Sequence, residues 1–189
     1  MSTVSFTSFS LLIIFIILRF NLSVQELPAI INEVSDFNLT SHTGKNISES
    51  YFIDKYTVLD FFFTECNGTC PIMTNYMKKL YNQYKTNPGV QFISISIDPD
   101  YDTQEVLSMY AKSSGVYDNR WQFLFGEMEY IKKLSTSTFN IYSDNFPSGH
   151  TKKFFLIDKK GNIRQFYNGT NKKDINLLKN HLDQFIAMN

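Results

Sequence analysis

Charge of one sign is nowhere concentrated in this chain. Its 189 residues carry 18 basic and 18 acidic side chains, for a net charge of zero. No basic run points to nucleic acid, and no acidic tail points to a tail-mediated partner. Internal repeats and low-complexity segments are absent as well. Cysteine is scarce, with only Cys66 and Cys70, so any thiol chemistry has a single address. Aromatic residues, by contrast, are plentiful. The 18 Phe and 11 Tyr favour strands and a well-filled core. The length suffices for one domain with a substantial core. Several Asn-x-Ser/Thr triplets occur, as chance gives at this Asn, Ser and Thr content, and no glycosylation is read from them.

The N-terminus differs in kind from the rest. Leu11–Leu18 is an unbroken apolar run, and with its flanks the apolar segment extends from about Val4 to Leu22. That is near the lower end of the roughly 17–25 residues that cross a bilayer. The marks of a cleaved signal are missing. No Lys or Arg precedes the run, no A-x-A site follows it, and no lipobox cysteine is present. Residues 1–22 are therefore read as an apolar membrane anchor or signal segment, with the uncleaved anchor favoured. Residues 23–35 read as a linker and 36–189 as the folded domain, exported to a compartment where cysteines can be oxidised.

The stretch 60–79 organises that domain. The apolar run Val58–Phe63 leads into a polar turn that holds both cysteines, and Pro71 opens a helix to about Lys85. Proline suits the first helical turn, where its missing N–H is not needed. Ile72, Tyr76, Leu80 and Tyr84, with Met73, Met77 and Tyr81 beside them, form one broad apolar face. The positive end of the helix dipole favours thiolate at the cysteines. Four residues apart across a turn, the two sulfurs can bind one metal or bond to each other. A structural disulfide and a pair of inert core cysteines are the bland alternatives.

The remaining elements follow in order. Asp36–Thr40 and Ile47–Ile53 suggest a small hairpin ahead of the main fold. Tyr56–Phe63 and Val90–Ile97 read as buried strands. Asp102 is expected to cap the next helix, with Glu105 completing a capping-box-like pair. Asp100 is read as turn chemistry. Asp98 falls at the C-terminal end of a central strand, where α/β folds place ligands. A strand over Trp121–Phe125 and a helix over Glu127–Ser135 come next. The aperiodic stretch Thr136–Gly149 has a length usual for functional or mobile loops. Lys153–Asp158 and Ile163–Tyr167 pair as a hairpin, and Asp174–Ala187 closes the chain as an amphipathic helix. Strands alternating with helices, then a terminal hairpin and helix, form the pattern of an α/β, thioredoxin-like fold with an N-terminal β-hairpin.

Three histidines remain. His42 lies in an early turn with no partner in view, and His181 reads as exposed on the last helix. His150 ends the long loop just before a strand, which places it on the same sheet edge as the cysteine turn. Two thiolates and one imidazole are a soft-to-borderline donor set that suits Cu(I), tolerates Cu(II) and could hold zinc. Zinc ordinarily takes four ligands, or three and a water.

At these residues the chain resembles a known family. T-E-C-N-G-T-C-P at Thr64–Pro71 and I-S-I-D-P-D-Y-D-T at Ile95–Thr103 resemble the Sco/SenC copper chaperones. So do W-Q-F-L-F-G at Trp121–Gly126 and G-H-T-K-K-F-F-L-I-D-K-K-G-N-I-R at Gly149–Arg164. The resemblance runs from about Phe37 to the C-terminus. It implies that Cys66, Cys70 and His150 bind one copper ion, Cu(I) and in some states Cu(II). It also implies a redox-active Cys66–Cys70 disulfide in the oxidised form. Asp98 falls on an acidic position near the cysteine turn, behind the ligands. The function implied is delivery of copper to the dinuclear copper centre of cytochrome c oxidase. The implied partners are the subunit carrying that centre, a copper donor protein and, through the N-terminal segment, a membrane on the periplasmic or intermembrane-space side. Where family members often carry Asp just before the histidine, this chain has Gly149.

Such a protein binds and transfers rather than turns over substrate. Two other readings fit the same cysteines. A thiol–disulfide oxidoreductase would attack a respiratory target through Cys66 and resolve through Cys70. A peroxidase of the peroxiredoxin or glutathione-peroxidase type shares the fold but places a single reactive cysteine in a different motif.

Overall fold

The structure, a computed structural model, describes residues 27–188 apart from 143, 148 and 150. The expected anchor over residues 1–22 and the expected ligand His150 lie outside the described residues. Among the described residues no helix is long and apolar enough to cross a membrane.

Eight strands form one mixed sheet: β1 (Asn32–Glu33), β2 (Asn38–Ser41), β3 (Asn46–Ser48), β4 (Tyr56–Phe62), β5 (Val90–Ser96), β6 (Trp121–Phe125), β7 (Lys153–Ile157) and β8 (Asn162–Asn168). Their spatial order is β1-β8-β7-β4-β5-β6-β2-β3. The core strands β4, β5 and β6 run parallel, while β7 is antiparallel to β4 and β8 to β7. Four α-helices connect or flank them: α1 (Cys70–Gln83), α2 (Gln104–Ser113), α3 (Met128–Ser137) and α4 (Lys172–Ala187). This is the expected thioredoxin-like order. The N-terminal hairpin is present too, with Leu39 opposite Ile47. It is shorter than read from the sequence, because Glu49–Phe52 turn into a 3-10 helix. Nor does it stand ahead of the fold, since β2 pairs with β6 and extends the main sheet. At the opposite edge Asn32 and Glu33, from the stretch read as linker, pair with β8.

Side-chain alternation along each strand divides the core in two. Val58 and Phe62 of β4, Phe92 of β5 and Phe123 of β6 face α1, α2 and α4. Leu59 and Phe61, Ile93 and Ile95, and Leu124 face α3 and the buried side chains of Val34, Phe37, Leu39, Ile47 and Phe52. All seven residues of β4 and all seven of β5 are buried. That explains their near-continuous apolar runs.

Four sequence expectations change. The buried face of α1 is Cys70, Met73, Met77, Leu80 and Tyr81, whereas Ile72 is exposed. The helix is rotated so that its first residue, Cys70, and not Ile72, meets the sheet. Helix α2 is capped by Thr103, whose side chain accepts from the Val106 N–H. Asp102 is instead fully buried and bonded elsewhere. His181 is buried, with Nδ1 2.7 Å from the Tyr167 hydroxyl. His42 is buried and does have a partner, since its Nδ1 accepts from the Phe123 N–H at 3.2 Å. The stretch 138–142 is also less loose than its composition implies. Phe139 packs edge-on against Phe61 and Phe155, and Ile141 is buried.

Candidate metal and thiol site

Where the β4–β5 ladder ends, the two chains diverge. Ile97 N–H donates to the Phe62 carbonyl at 2.9 Å as the last rung. Beyond it β4 runs into the cysteine turn and β5 into the turn ahead of α2. Cys66 lies in the first of these turns, and Cys70 is the first residue of α1, with Pro71 following it. Neither cysteine is in a disulfide, and both are buried. A β-carbon on Gly68 would sit 3.8 Å from the Cys66 sulfur, so the turn wraps closely around that atom.

The two thiols are unequal. Burial pushes the Cys66 thiol up. A hydrogen bond from the Cys70 thiol and the N–H groups of Cys70, Gly68 and Thr69 more than offset this, leaving it below an ordinary cysteine. Burial pushes Cys70 strongly up, and its bond to Cys66 and the charges of Cys66 and Asp60 add to the effect. Of the two, Cys66 gives up its proton the more readily and Cys70 the less. The expected thiolate-favouring helix start is seen at Cys66 and reversed at Cys70, where burial and negative neighbours win.

The floor of this site is polar, which sequence reading missed. Asp60 projects from β4 to the same side as Val58 and Phe62, opposite Ser94 of β5 in the ladder. Ser94 Oγ donates to Asp60 Oδ1 at 2.6 Å and accepts from Trp121 Nε1 at 3.0 Å. Burial raises the Asp60 carboxyl to about 7, against the lowering effect of the Ser94 bond. One rung further, Ser96 Oγ donates to Asp102 Oδ2 at 2.5 Å. Asp102 also accepts from Thr64 N–H, at 3.3 Å to Oδ1 and 3.2 Å to Oδ2, and from the Thr64 hydroxyl. A legible signal existed for Asp60, a lone carboxylate inside the run V-L-D-F-F-F. Asp102 was hidden because Thr103 beside it is an equally good cap.

Asp98 is half-buried at the end of β5, and its carboxyl is raised by burial and by the charges of Asp102 and Asp100. Its main chain closes the turn, with its carbonyl accepting from Tyr101 and Asp102 N–H. Because β7 is antiparallel to β4, its first residue, Lys153, lies at the edge where β4 ends. His150 stands three residues ahead of Lys153 in the sequence. The structure thus brings Cys66 and Cys70 together. Among the described residues no group of three His, Cys, Asp or Glu side chains is set to hold a metal ion.

The two segments that form the cysteine turn and the turn ahead of α2 are uniformly acidic or neutral. Positions 60–77 and 94–111 carry Asp60, Glu65, Asp98, Asp100, Asp102 and Glu105 and no Lys or Arg.

Comparison with known proteins gives one consistent result. The model of the family described as SCO1/SenC matches residues 28–185. The chain is 31% identical over 144 residues to a SCO1 protein homolog of Bacillus subtilis, covering 72% of this chain and 74% of that one. It spans 48% of the length of a human mitochondrial SCO1 homolog that it also matches. Among solved structures, a SCO1/SenC family lipoprotein from Bacillus anthracis superposes with a TM-score of 0.77 at 30% identity, covering 85% of this chain and 99% of that one. The structure of BsSco gives a TM-score of 0.73 at 27% identity, covering 86% and 99%. BsSco is a member of the Sco family of cytochrome c oxidase assembly proteins in which a disulfide switch has been identified.

Proposed function

The chain belongs to the SCO1/SenC family, and on that premise we propose that it is a copper-binding chaperone for cytochrome c oxidase assembly. Cys66 and Cys70 supply two thiolates and His150 the third ligand for Cu(I), the cargo. The cargo passes to the dinuclear copper centre of the oxidase. The domain is exported and tethered to a membrane by residues 1–22, and it receives its copper from a donor protein. Asp98 stands behind the ligands and adds negative charge near a bound cation.

The observation that carries this reading is the pair of adjoining buried thiols, Cys66 lowered and Cys70 raised from an ordinary cysteine, between flanking segments that carry acidic side chains and no Lys or Arg. Soft sulfur donors select Cu(I). A bound cation offsets the second thiolate, which the neighbouring carboxylates otherwise disfavour. That β7 begins at the edge where β4 ends supports the place of His150 in the set.

The inequality of the thiols favours a second reading on the same residues, a thiol–disulfide oxidoreductase. The Cys66 thiolate would attack a disulfide of a respiratory target, forming a mixed disulfide and releasing one target thiolate. Cys70 would then lose its proton and attack the Cys66 sulfur. The second target thiolate leaves and a Cys66–Cys70 disulfide remains.

Titration of the reduced protein with Cu(I) against a competing chelator separates the two. The chaperone reading expects one tightly held copper, weakened in His150→Ala and lost in Cys66→Ser/Cys70→Ser. Loss in the cysteine variant alone would remove His150 from the site and favour the oxidoreductase. No tight copper in the wild type refutes the chaperone.

A further inference from the structure

We infer that Asp102 is a positioning residue of the cysteine turn, setting where Cys66 lies relative to Cys70. The inference rests on the reading that these two sulfurs act together.

Past the last rung of the β4–β5 ladder, the N–H of Thr64 has no strand beside it. Thr64 stands two residues before Cys66. The Asp102 carboxylate takes the place of the missing strand. Both its oxygens accept from Thr64 N–H, and Oδ1 also accepts from the Thr64 hydroxyl. Its other oxygen is held by Ser96 Oγ, on the last residue of β5. The Asp102 N–H is fixed in turn by the Asp98 carbonyl at 2.8 Å. One carboxylate therefore joins the exit of β4, the end of β5 and the entry to α2. A second tie runs alongside, from the Tyr101 hydroxyl to the Glu65 carboxylate.

The choice of a carboxylate here is itself informative. Asp102 is fully buried, and its donors are an amide and two hydroxyls rather than a cation. Burying a carboxylate is expensive unless its hydrogen bonds are well made. A helix cap alone does not need one, because Thr103 caps α2. What a carboxylate provides is two acceptor oxygens on one rigid group, enough to satisfy a backbone N–H and two hydroxyls at once. These bonds fix the direction in which the chain leaves β4. That direction fixes the start of the turn, from which Cys66 must meet a partner anchored independently on α1.

The test compares Asp102→Asn, Asp102→Ala, Thr64→Val and Thr64→Ser with Leu134→Ala. Leu134 is a core residue of α3 on the opposite face of the sheet, so its truncation destabilises the fold without touching the turn. Three quantities are read for each full-length protein: thermal midpoint, Cu(I) affinity against a chelator, and the Cys66–Cys70 equilibrium with glutathione. In that equilibrium the two thiols become one disulfide as one glutathione disulfide is reduced to two thiols.

Asp102→Asn, which offers one acceptor oxygen in place of two, and Thr64→Val are expected to lower the disulfide equilibrium constant about tenfold, or about 30 mV. Cu(I) affinity falls about tenfold or more, as for other residues that orient metal ligands. Asp102→Ala exceeds both, and Thr64→Ser, which keeps the hydroxyl, restores wild-type values. Leu134→Ala lowers only the thermal midpoint. The inference is overturned if Asp102→Asn and Thr64→Val leave the disulfide constant within about twofold of wild type while melting like Leu134→Ala. Should Asp102→Ala fail to fold, the Asn and Val variants decide. A wild type that binds no Cu(I), with variants that still shift the disulfide constant, refutes the chaperone and leaves the positioning role standing.

Discussion

Asp60 makes the stability of this protein depend on pH in an unusual direction. Its carboxyl titrates at about 7 in the fold, against 3.8 ordinarily, because burial in the middle of β4 disfavours the charged form. Below about pH 4 it is protonated in both the folded and unfolded chain and contributes no slope. Between about pH 4 and pH 7 the unfolded chain has released this proton while the fold retains it. Unfolding then releases a proton, so stability falls as pH rises. At about 1.4 kcal/mol per pH unit, the loss accumulated by pH 8 is about 4 kcal/mol.

Asp60→Asn removes the titration and keeps an oxygen to accept from Ser94. The new amide hydrogens need partners and can carry a penalty of about 1–3 kcal/mol, but that penalty is the same at every pH. The buried histidines and the ion-paired Asp158 also titrate on folding, equally in both proteins. The informative quantity is therefore the difference in unfolding free energy between variant and wild type, from urea denaturation of the reduced proteins. It should move in favour of the variant by about 4 kcal/mol between about pH 4 and about pH 8, with most of the change before pH 7. Parallel curves over that range would refute the argument, since they would mean that Asp60 ionises in the fold as it does in water.

Two further outcomes follow from other charges. Asp158 accepts from Lys160 N–H, Asn162 N–H and Arg164 Nη1, each within 3.0 Å; although burial alone would raise its carboxyl, these bonds hold it below 3.8. A depressed carboxyl stabilises the fold above its ordinary pKa and loses that contribution as pH falls through its folded value. Asp158→Asn should cost about 2–3 kcal/mol near neutrality and progressively less in acid, as read by urea unfolding at both pH values. At the cysteine turn, Cu(I) must displace the proton held on Cys70, so apparent affinity should rise about tenfold per pH unit while that thiol is protonated. A flat profile in a chelator competition would mean that Cys70 does not ligate.

The framework of the fold was legible because its signals are local. β4 and β5 are apolar runs bounded by turns, and Pro71 marks where α1 begins. What the sequence hid depends on partners far along the chain. The tilt of α1 that buries Met73 and exposes Ile72 is set by the sheet beneath it, not by any spacing within the helix. His181 looks like a surface residue until Tyr167, on β8, supplies its partner. Asp102 and Thr103 are interchangeable as caps by composition. Only Thr64, 38 residues earlier, makes Asp102 the buried one. The histidine expected to complete the donor set stands in a stretch whose neighbour Gly149 closes a turn onto the Asn145 carbonyl at 2.7 Å. A β-carbon on Gly149 would meet that of Asn145 at 2.9 Å. Glycine there fits a turn without room for a side chain.

The charges around the cysteines bear on which thiol chemistry the turn suits. An oxidoreductase needs one thiolate at a time, and the N–H groups at the start of α1 supply what Cys66 requires. Holding both sulfurs as thiolates is a different demand, because the second negative charge must be balanced. The Asp60 carboxylate, which raises Cys70, works against it, and the adjoining turn, with the carboxylates Asp98 and Asp102, offers no Lys or Arg to compensate. A monovalent cation held between the sulfurs meets that demand, and the same carboxylates then favour its retention rather than oppose it. Burial, with the Asp60 charge adding to it, keeps the proton on Cys70, and the acidic setting suits a site that carries a cation while giving a dithiol reductase no comparable advantage.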